Sequence, residues 1–440
     1  MGRLGLPSEA AMSGACVMID IKEIRDNPQR FKKAAADKRI AADIDALMDV
    51  DGQLRDARQK LQDIATDKNR VGKSIPTLTG RDKQAALAQL AQLKQDEAEY
   101  QEQVKQLQPR FDALMLEVAQ PADDDVPLGK DDTENVELRR HGEVPRFDFE
   151  LKDHLALGLS LGMVDMERGV KLAGARNYFL MGDGALLHWA ILRYALDFMV
   201  SRGYTPMAVP LLMKDEAMRG TGYYPGAEEQ TYRMEKDQLN LAGTAEVPLT
   251  AYRMGEILDG SELPLKYVAL SSCFRREAGA AGKDTYGLYR IHQFEKVEQV
   301  VIGPNDAEQS RRFHDEILGN AEAVMQALGL PYRVVCVCTG DLGRGQAKKY
   351  DIEAWMPSRG GYCETHSASK FFEFQARRMN LRYKDPATKR NLFCHTLNNT
   401  VIAGPRILIP LLELYQNADG SVTVPQVLRP YMGGKERITG

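Results

Sequence analysis

CFRREAGAAGKDTYGLYRIHQFEKVEQV, residues 273–300, is the densest site-like stretch of the chain. It reads as strand, glycine-rich loop, strand. Arg275 and Glu277 stand two apart, which on a strand puts them on one face. Arg275 suits bidentate clamping of a phosphate or carboxylate. The loop from Gly279 to Gly287 is expected to be mobile enough to close over a ligand. Arg290 lies at the return. Taken alone, the pattern also describes an ion-paired surface hairpin, so its neighbours must decide.

Around it the chain alternates short β-rich and helical runs. Strands are expected at YVALSSCF, FEKVEQVVI, YRVVCVC and DIEAWM. Helices are expected at ALLHWAILRYALDFMVSRG, closing with Gly203 at the C-cap, and at DAEQSRRFHDEILGNAEAVMQALGL. Strands dominate the middle and helices flank them, which predicts an antiparallel α+β domain rather than a regular βαβ alternation. Neither a Rossmann glycine fingerprint nor a GxxxxGK[ST] loop is present, so ATP, if used, is held another way. Three further clusters carry chemistry: GTAEVPLTAY with Thr244 and Glu246, CETHSASKFFEFQARR with Glu364, His366 and Ser367, and HTLNNTVIAGPRILIPLLELYQ with Asn398, Thr400 and Arg406.

The N-terminal quarter differs. Asn27-Pro28 reads as an N-cap with proline at the first helical position. Ile40, Leu47, Leu54, Leu61 and Ile75 form one heptad row, and Val50, Ala57, Ile64 and Val71 the other. Pro76 to Gly80 is a turn. A second run then carries Leu93, Tyr100, Leu107 and Leu114 beside Leu90, Val104, Phe111 and Val118, with Lys68 and Glu97 as polar interruptions. The two runs predict an antiparallel helical hairpin, a coiled-coil arm. The 35 residues from Ala41 to Ile75 correspond to about 50 Å of helix. Pro109 should kink the second helix. Residues 119–137 are rich in proline, glycine and acids, as linkers are. The expected layout is a loose leader at 1–17, a hairpin-bearing domain at 18–122, a linker at 123–137 and a second domain at 138–440.

Bulk properties narrow the function. At 440 residues two domains are natural, and 43% hydrophobic with 27% charged residues fits a globular chain. No run approaches the ~18 apolar residues of a membrane helix, so no membrane association is expected. Net charge is −4, which excludes a uniformly basic nucleic-acid binder. Local patches must serve any RNA contact, and residues 22–39 hold seven Lys or Arg against three acids. Six cysteines over this length suggest no disulfide framework and a reducing, cytoplasmic home. Cys336 and Cys338 look like one face of a buried strand, since no CxxC or HxxxH spacing completes a zinc set.

These segments together resemble a family. Residues 273–298 resemble motif 2 of class II aminoacyl-tRNA synthetases, in the form typical of seryl-tRNA synthetases. Thr244-Ala245-Glu246 resembles that family's TxE motif. TGDLGRGQAKKYDIEAWMP and FQARR resemble its later strands, VPQVLRPYMGG its C-terminus, MIDIKEIRDNP its usual start and the hairpin its tRNA-binding arm. The resemblance covers Met18 to Gly434. It implies a class II antiparallel sheet flanked by helices, ATP with Mg2+, and activation of L-serine followed by transfer to tRNA(Ser), with tRNA(Sec) as a further acceptor. It implies catalytic roles for Arg275 and Arg406. ATP would meet Arg275, Glu277, Arg290, Glu364, Ser367 and Arg406, with magnesium at Glu364. Serine would meet Thr244, Glu246, Arg275, Glu298, Asn398 and Thr400. Pro210, in GYTPMAVPLLM, would lie at a homodimer interface. Motif 3 departs from the family's glycines at Asn399, Val401 and Pro405, and the ExSS stretch reads Glu364-Thr365-His366-Ser367. The alternative is a synthetase-like paralogue that loads serine or another amino acid onto an acceptor other than tRNA.

Overall fold

The computed structural model describes residues 19–279 and 286–440. The expected leader at 1–17 lies outside them, as does most of the glycine-rich turn between Gly279 and Gly287. The chain forms two compact units. One comprises the residues up to Ala36 with Ile40–Ala119, the other Asp37–Arg39 with Gln120–Gly440.

The first unit is built on the helical hairpin, α1 (Ile44–Ser74) and α2 (Gly80–Glu117). The heptad rows account for it. Leu47, Val50, Leu54, Ala57, Ile64 and Val71 are buried along α1, whereas in α2 only Ala86 and Met115 are fully buried. Ile40 is not part of the helix. Asp43 caps α1, its carboxylate accepting from the Ala46 N–H at 2.8 Å, so the helix starts four residues later than the first heptad position. Lys68 and Glu97, the two polar seam positions, face each other as an ion pair at 2.6 Å. Pro109 sits within the continuous span of α2. Upstream, Asn27 caps the helix Pro28–Asp37 by accepting from the Arg30 N–H at 3.1 Å.

The second unit centres on an eight-stranded sheet. Its strands are β1 (Val136–His141), β2 (Thr205–Pro206), β3 (Leu265–Phe274), β4 (Gln293–Gly303), β5 (Tyr332–Cys336), β6 (Lys348–Met356), β7 (Gly361–Phe372) and β8 (His395–Ala403). The spatial order is β1-β5-β6-β7-β8-β4-β3-β2. Every pairing is antiparallel except the short edge pair β2·β3. This is the antiparallel α+β domain the sequence predicts. One face is covered by α3 (His154–Ser160), α4 (Gly182–Ser201), α5 (Ala307–Ala327) and α6 (Gly404–Leu414), and the core of Ile191, Val301, Ile317, Ile352, Val401 and Leu408 fills that space. Cys336 and Cys338 are both buried, but β5 ends at Cys336.

Two bulges shape the other face. Lys296 opposes Ala403 and Val297 opposes Ile402, but Glu298 opposes Thr400, so Val401 is an extra residue in β8. Thr365 is likewise extra in β7 between Glu364 and His366. Bulges bend a strand and re-aim its side chains. Here they bring Glu298 and Thr400 to matching positions and turn Glu364 toward the same face.

The acid-rich stretch after Ala119 is held against the second unit. Asp123 pairs with the buried Lys370, Asp125 pairs with Lys348 at 2.5 Å, and the Asp123 N–H donates to the Ala347 carbonyl at 2.9 Å. Among the described residues no helix is long and apolar enough to cross a membrane.

Leu54→Ala removes one fully buried seam side chain and is expected to cost about 2–4 kcal/mol locally. Hydrogen exchange checks this: amides of α1 and α2 lose protection while those of β4 and β8 keep theirs.

Candidate active site

Residues of the 273–300 stretch line a concave cleft on the functional face of the sheet, the setting expected of a small-molecule site. Every site residue taken from the sequence borders it.

Arg275 and Glu277 do not share a strand face, as the spacing suggests they should. β3 ends at Phe274. The Arg275 N–H still donates to the His292 carbonyl at 2.9 Å, and Gln230 takes donors after it: its carbonyl accepts from Arg276 N–H at 2.8 Å and its side chain from Ala278 N–H at 3.1 Å. Glu277 adopts φ +52°, a left-handed conformation that costs a non-glycine residue about 1–2 kcal/mol. Its carboxylate is thereby turned onto Arg290, Nη1 to Oε2 at 2.6 Å. Arg275 remains at the strand end, donating from Nε to the Gly243 carbonyl at 3.3 Å, with its guanidinium over the Phe294 ring at 5.3 Å.

Across the cleft, Arg406 stands in the first turn of α6. It lies over the Tyr289 ring at 4.5 Å and donates to the Glu364 carbonyl at 3.1 Å, with the Glu364 carboxylate 3.6 Å away. Burial alone would raise the Glu364 carboxyl, but Arg406, Lys349 and Arg275 outweigh it and hold the group below its ordinary value. Ser367 follows on the same strand and borders the cleft with it.

The deep end is polar and buried. Lys296 Nζ is 2.5 Å from Glu298, 2.8 Å from Thr244 Oγ1 and 3.1 Å from Thr400 Oγ1. Thr400 donates to Glu298 at 3.2 Å. Glu246, 8% exposed, accepts from Gln375 Nε2 at 2.8 Å and from Tyr223 OH at 3.3 Å. Burial first, then the charge of Glu298, pushes the Glu246 carboxyl up to about 7. Asn398 points a buried amide nitrogen with no hydrogen-bond partner among the described residues. A buried donor left open toward a cleft is what a ligand acceptor would fill.

Lys296, Tyr223 and Tyr289 were not singled out from the sequence. Lys296 was within reach, since it lies two residues before Glu298 and must share its face. Tyr223 and Tyr289 come from loops, where no period assigns a side chain to the site. The motif 3 departures are absorbed locally. Asn399 turns to the opposite face, accepting from Gln299 at 2.7 Å and donating to the Ser367 carbonyl at 3.0 Å. Val401 occupies the bulge, fully buried. Pro405 occupies the first turn of α6, where its missing N–H costs nothing.

One arginine just past the end of β3 and a second in the first turn of α6 border the same cleft of an antiparallel sheet, and comparison with known proteins assigns the chain to the class II aminoacyl-tRNA synthetases. Residues 230–415 match the tRNA synthetase class II core domain (G, H, P, S and T), and residues 18–120 match the seryl-tRNA synthetase N-terminal domain. The chain is 45% identical over 419 residues to the serine–tRNA ligase of Deinococcus radiodurans, covering 95% of this chain and 98% of that one. It superposes on the seryl-tRNA synthetase of Pyrococcus horikoshii complexed with ATP with a TM-score of 0.91 at 35% identity, covering 96% and 99% of the two chains. The cytoplasmic enzyme of Naegleria fowleri in complex with AMP gives 0.84 at 33% identity, covering 94% and 96%. The chain belongs to the seryl-tRNA synthetase family. ATP-dependent activation of serine and charging of tRNA is the activity that membership carries.

Glu246 supplies a pH test. A carboxyl titrating near 7 is neutral below that value and anionic above it, so a cationic ammonium ligand binds better as pH rises through about 7. KM for serine is expected to fall across that range. In Glu246→Gln the profile flattens at the weak-binding end.

Proposed function

We propose that the cleft activates serine by in-line attack of its carboxylate on the α-phosphate of ATP, and that the deep polar end is the serine pocket. The carrying observation is the convergence of Arg275, Arg406, Glu246, Glu298 and Glu364 on one cavity. Both reactants are anionic, so the site must screen their repulsion and stabilise the charge that gathers in the transition state. Arg275, at the meeting point of the two halves, holds the α-phosphate and the serine carboxylate. Glu277, Arg290, Ser367 and Arg406 hold the rest of the nucleotide. No nucleophilic side chain is needed, because alignment of the reactants supplies much of the rate.

The charge of the pocket suits the substrate. Once Glu246 is ionised, the carboxylates of Glu246 and Glu298 outnumber the one ammonium, Lys296, and the surplus negative charge suits the serine ammonium once Arg275 has taken the carboxylate. Glu298 and Thr400 face the hydroxyl, with Thr244 and Asn398 beside them. A site built to hydrogen-bond a hydroxyl rejects an analogue without one by as much as ~10⁴.

Magnesium fits the donor set. Among the described residues no group of three or more His, Cys, Asp or Glu side chains is arranged to hold a metal. Mg2+ needs no such cluster, since it takes one or two protein carboxylates and fills its other positions with water and phosphate oxygens. Glu364, half-buried and held ionised, is that carboxylate, with Ser367 beside it. The ion would neutralise phosphate charge. In the second step the terminal ribose hydroxyl of tRNA attacks the seryl adenylate. The helical hairpin selects tRNA(Ser), and tRNA(Sec) with it, by backbone and shape, as A-form RNA requires. The exposed Pro210 lies at the interface of a homodimer that works in the cytoplasm.

Arg275→Ala is expected to lower serine-dependent exchange of pyrophosphate into ATP by roughly 10²–10³-fold, the cost of removing one preorganised charge donor. Full exchange in that variant would overturn its role. Charging assays with labelled serine, threonine and alanine then test the pocket.

A further inference from the structure

Helix α6 carries Arg406 in its first turn and Glu413 near its end, seven residues apart and so on one face. Both reach the same short segment, the returning limb of the glycine-rich turn at residues 286–290. Arg406 Nε donates to the Tyr289 carbonyl at 3.4 Å and lies over its ring. Glu413, with no exposed surface, works through His154, which is 4% exposed. The His154 Nδ1 is 2.8 Å from Glu413 Oε1, and the His154 backbone N–H donates to the same oxygen at 3.0 Å. On the far side of the ring, Nε2 accepts from the Leu288 N–H at 3.3 Å. Two bonds settle the tautomer: Nε2 is the acceptor, so Nδ1 carries the proton and donates to the carboxylate. The fit is tight, since a Cβ at Gly287 would stand 2.1 Å from Nε2. The second oxygen of Glu413 accepts from the Ser358 N–H at 2.9 Å, and the next residue, Arg359, lies over the Tyr289 ring at 4.2 Å. One buried carboxylate therefore anchors both backbone segments that fix Tyr289.

We propose that His154, oriented by Glu413, is a positioning residue for the nucleotide: it pins Leu288, and so fixes the Tyr289 ring on which the Arg406 guanidinium rests. The inference builds on the reading of Arg406 as a nucleotide contact. His154 touches no reactant. Its loss lets Tyr289 and Arg406 shift together, and a displacement near 1 Å can cost up to ~10²-fold. The serine end, tied by Lys296 on β4, stays in place.

The test uses the full chain, with KM for ATP and for serine measured separately by pyrophosphate exchange and ATP affinity by calorimetry. His154→Ala is expected to raise KM for ATP about tenfold or more, with KM for serine within about twofold. His154→Gln puts an acceptor near the Nε2 position and should restore most of the ATP affinity. His154→Asn keeps a partner for Glu413 but no acceptor for Leu288, and should not. If the alanine variant fails to fold, the glutamine and asparagine variants carry the test. Unchanged ATP affinity in all three, parallel loss of ATP and serine affinity, or equal behaviour of Gln and Asn would overturn the proposal. Absence of serine-dependent exchange in the unaltered chain sinks the functional reading instead, and calorimetric ATP binding still judges His154.

Discussion

Two carboxylates buried at one end of a cleft repel each other and resist desolvation, and Lys296 is what makes their burial tolerable. Its ammonium contacts Glu298, Thr244 and Thr400, so an acid from β4, a hydroxyl from β8 and a hydroxyl from the loop before Glu246 share one centre. A buried pair is stable only when its remaining donors and acceptors are also satisfied. That requirement fixes register. Glu298 must oppose Thr400, and it does so only because Val401 is bulged out of the ladder. The geometry of the sheet at its functional face follows from where these charges must meet.

The same demand explains why substitutions near Arg406 leave the sheet intact. Asn399 does not intrude on the cleft, because on the opposite face it closes a chain of amides that runs from Asn320 through Gln299 to the Ser367 carbonyl. Pro405 stands where a helix has no N–H to offer. The backbone shape that glycines would allow is supplied here by a bulge and a helix start.

Much of the fold was legible. Period-2 and period-3.6 patterns located the long strands and both hairpin helices, because those elements bury one face and the burial is written in residue type. The antiparallel class followed from their order. Boundaries were less legible where side chains intervene: Asp43 starts α1 later than the heptads suggest, and Gln230 draws the backbone away from the sheet just after Arg275. Of the cleft, the charged residues were legible through resemblance to a family. Their spatial relation was not. Glu277 reaches Arg290 through a left-handed backbone that a spacing rule for strands cannot foresee. Lys296 was overlooked because a lysine in a strand normally reads as an exposed position, and its burial shows only once partners from three segments converge on it.

The helical hairpin buries a single narrow seam, with most of the surface of α2 left in water. A structure only two helices thick has no interior beyond that seam, so substitutions on its outer faces are close to neutral for folding. Those faces can drift in charge and shape while the backbone persists, so a new binding specificity can be acquired there without re-solving the problem of stability.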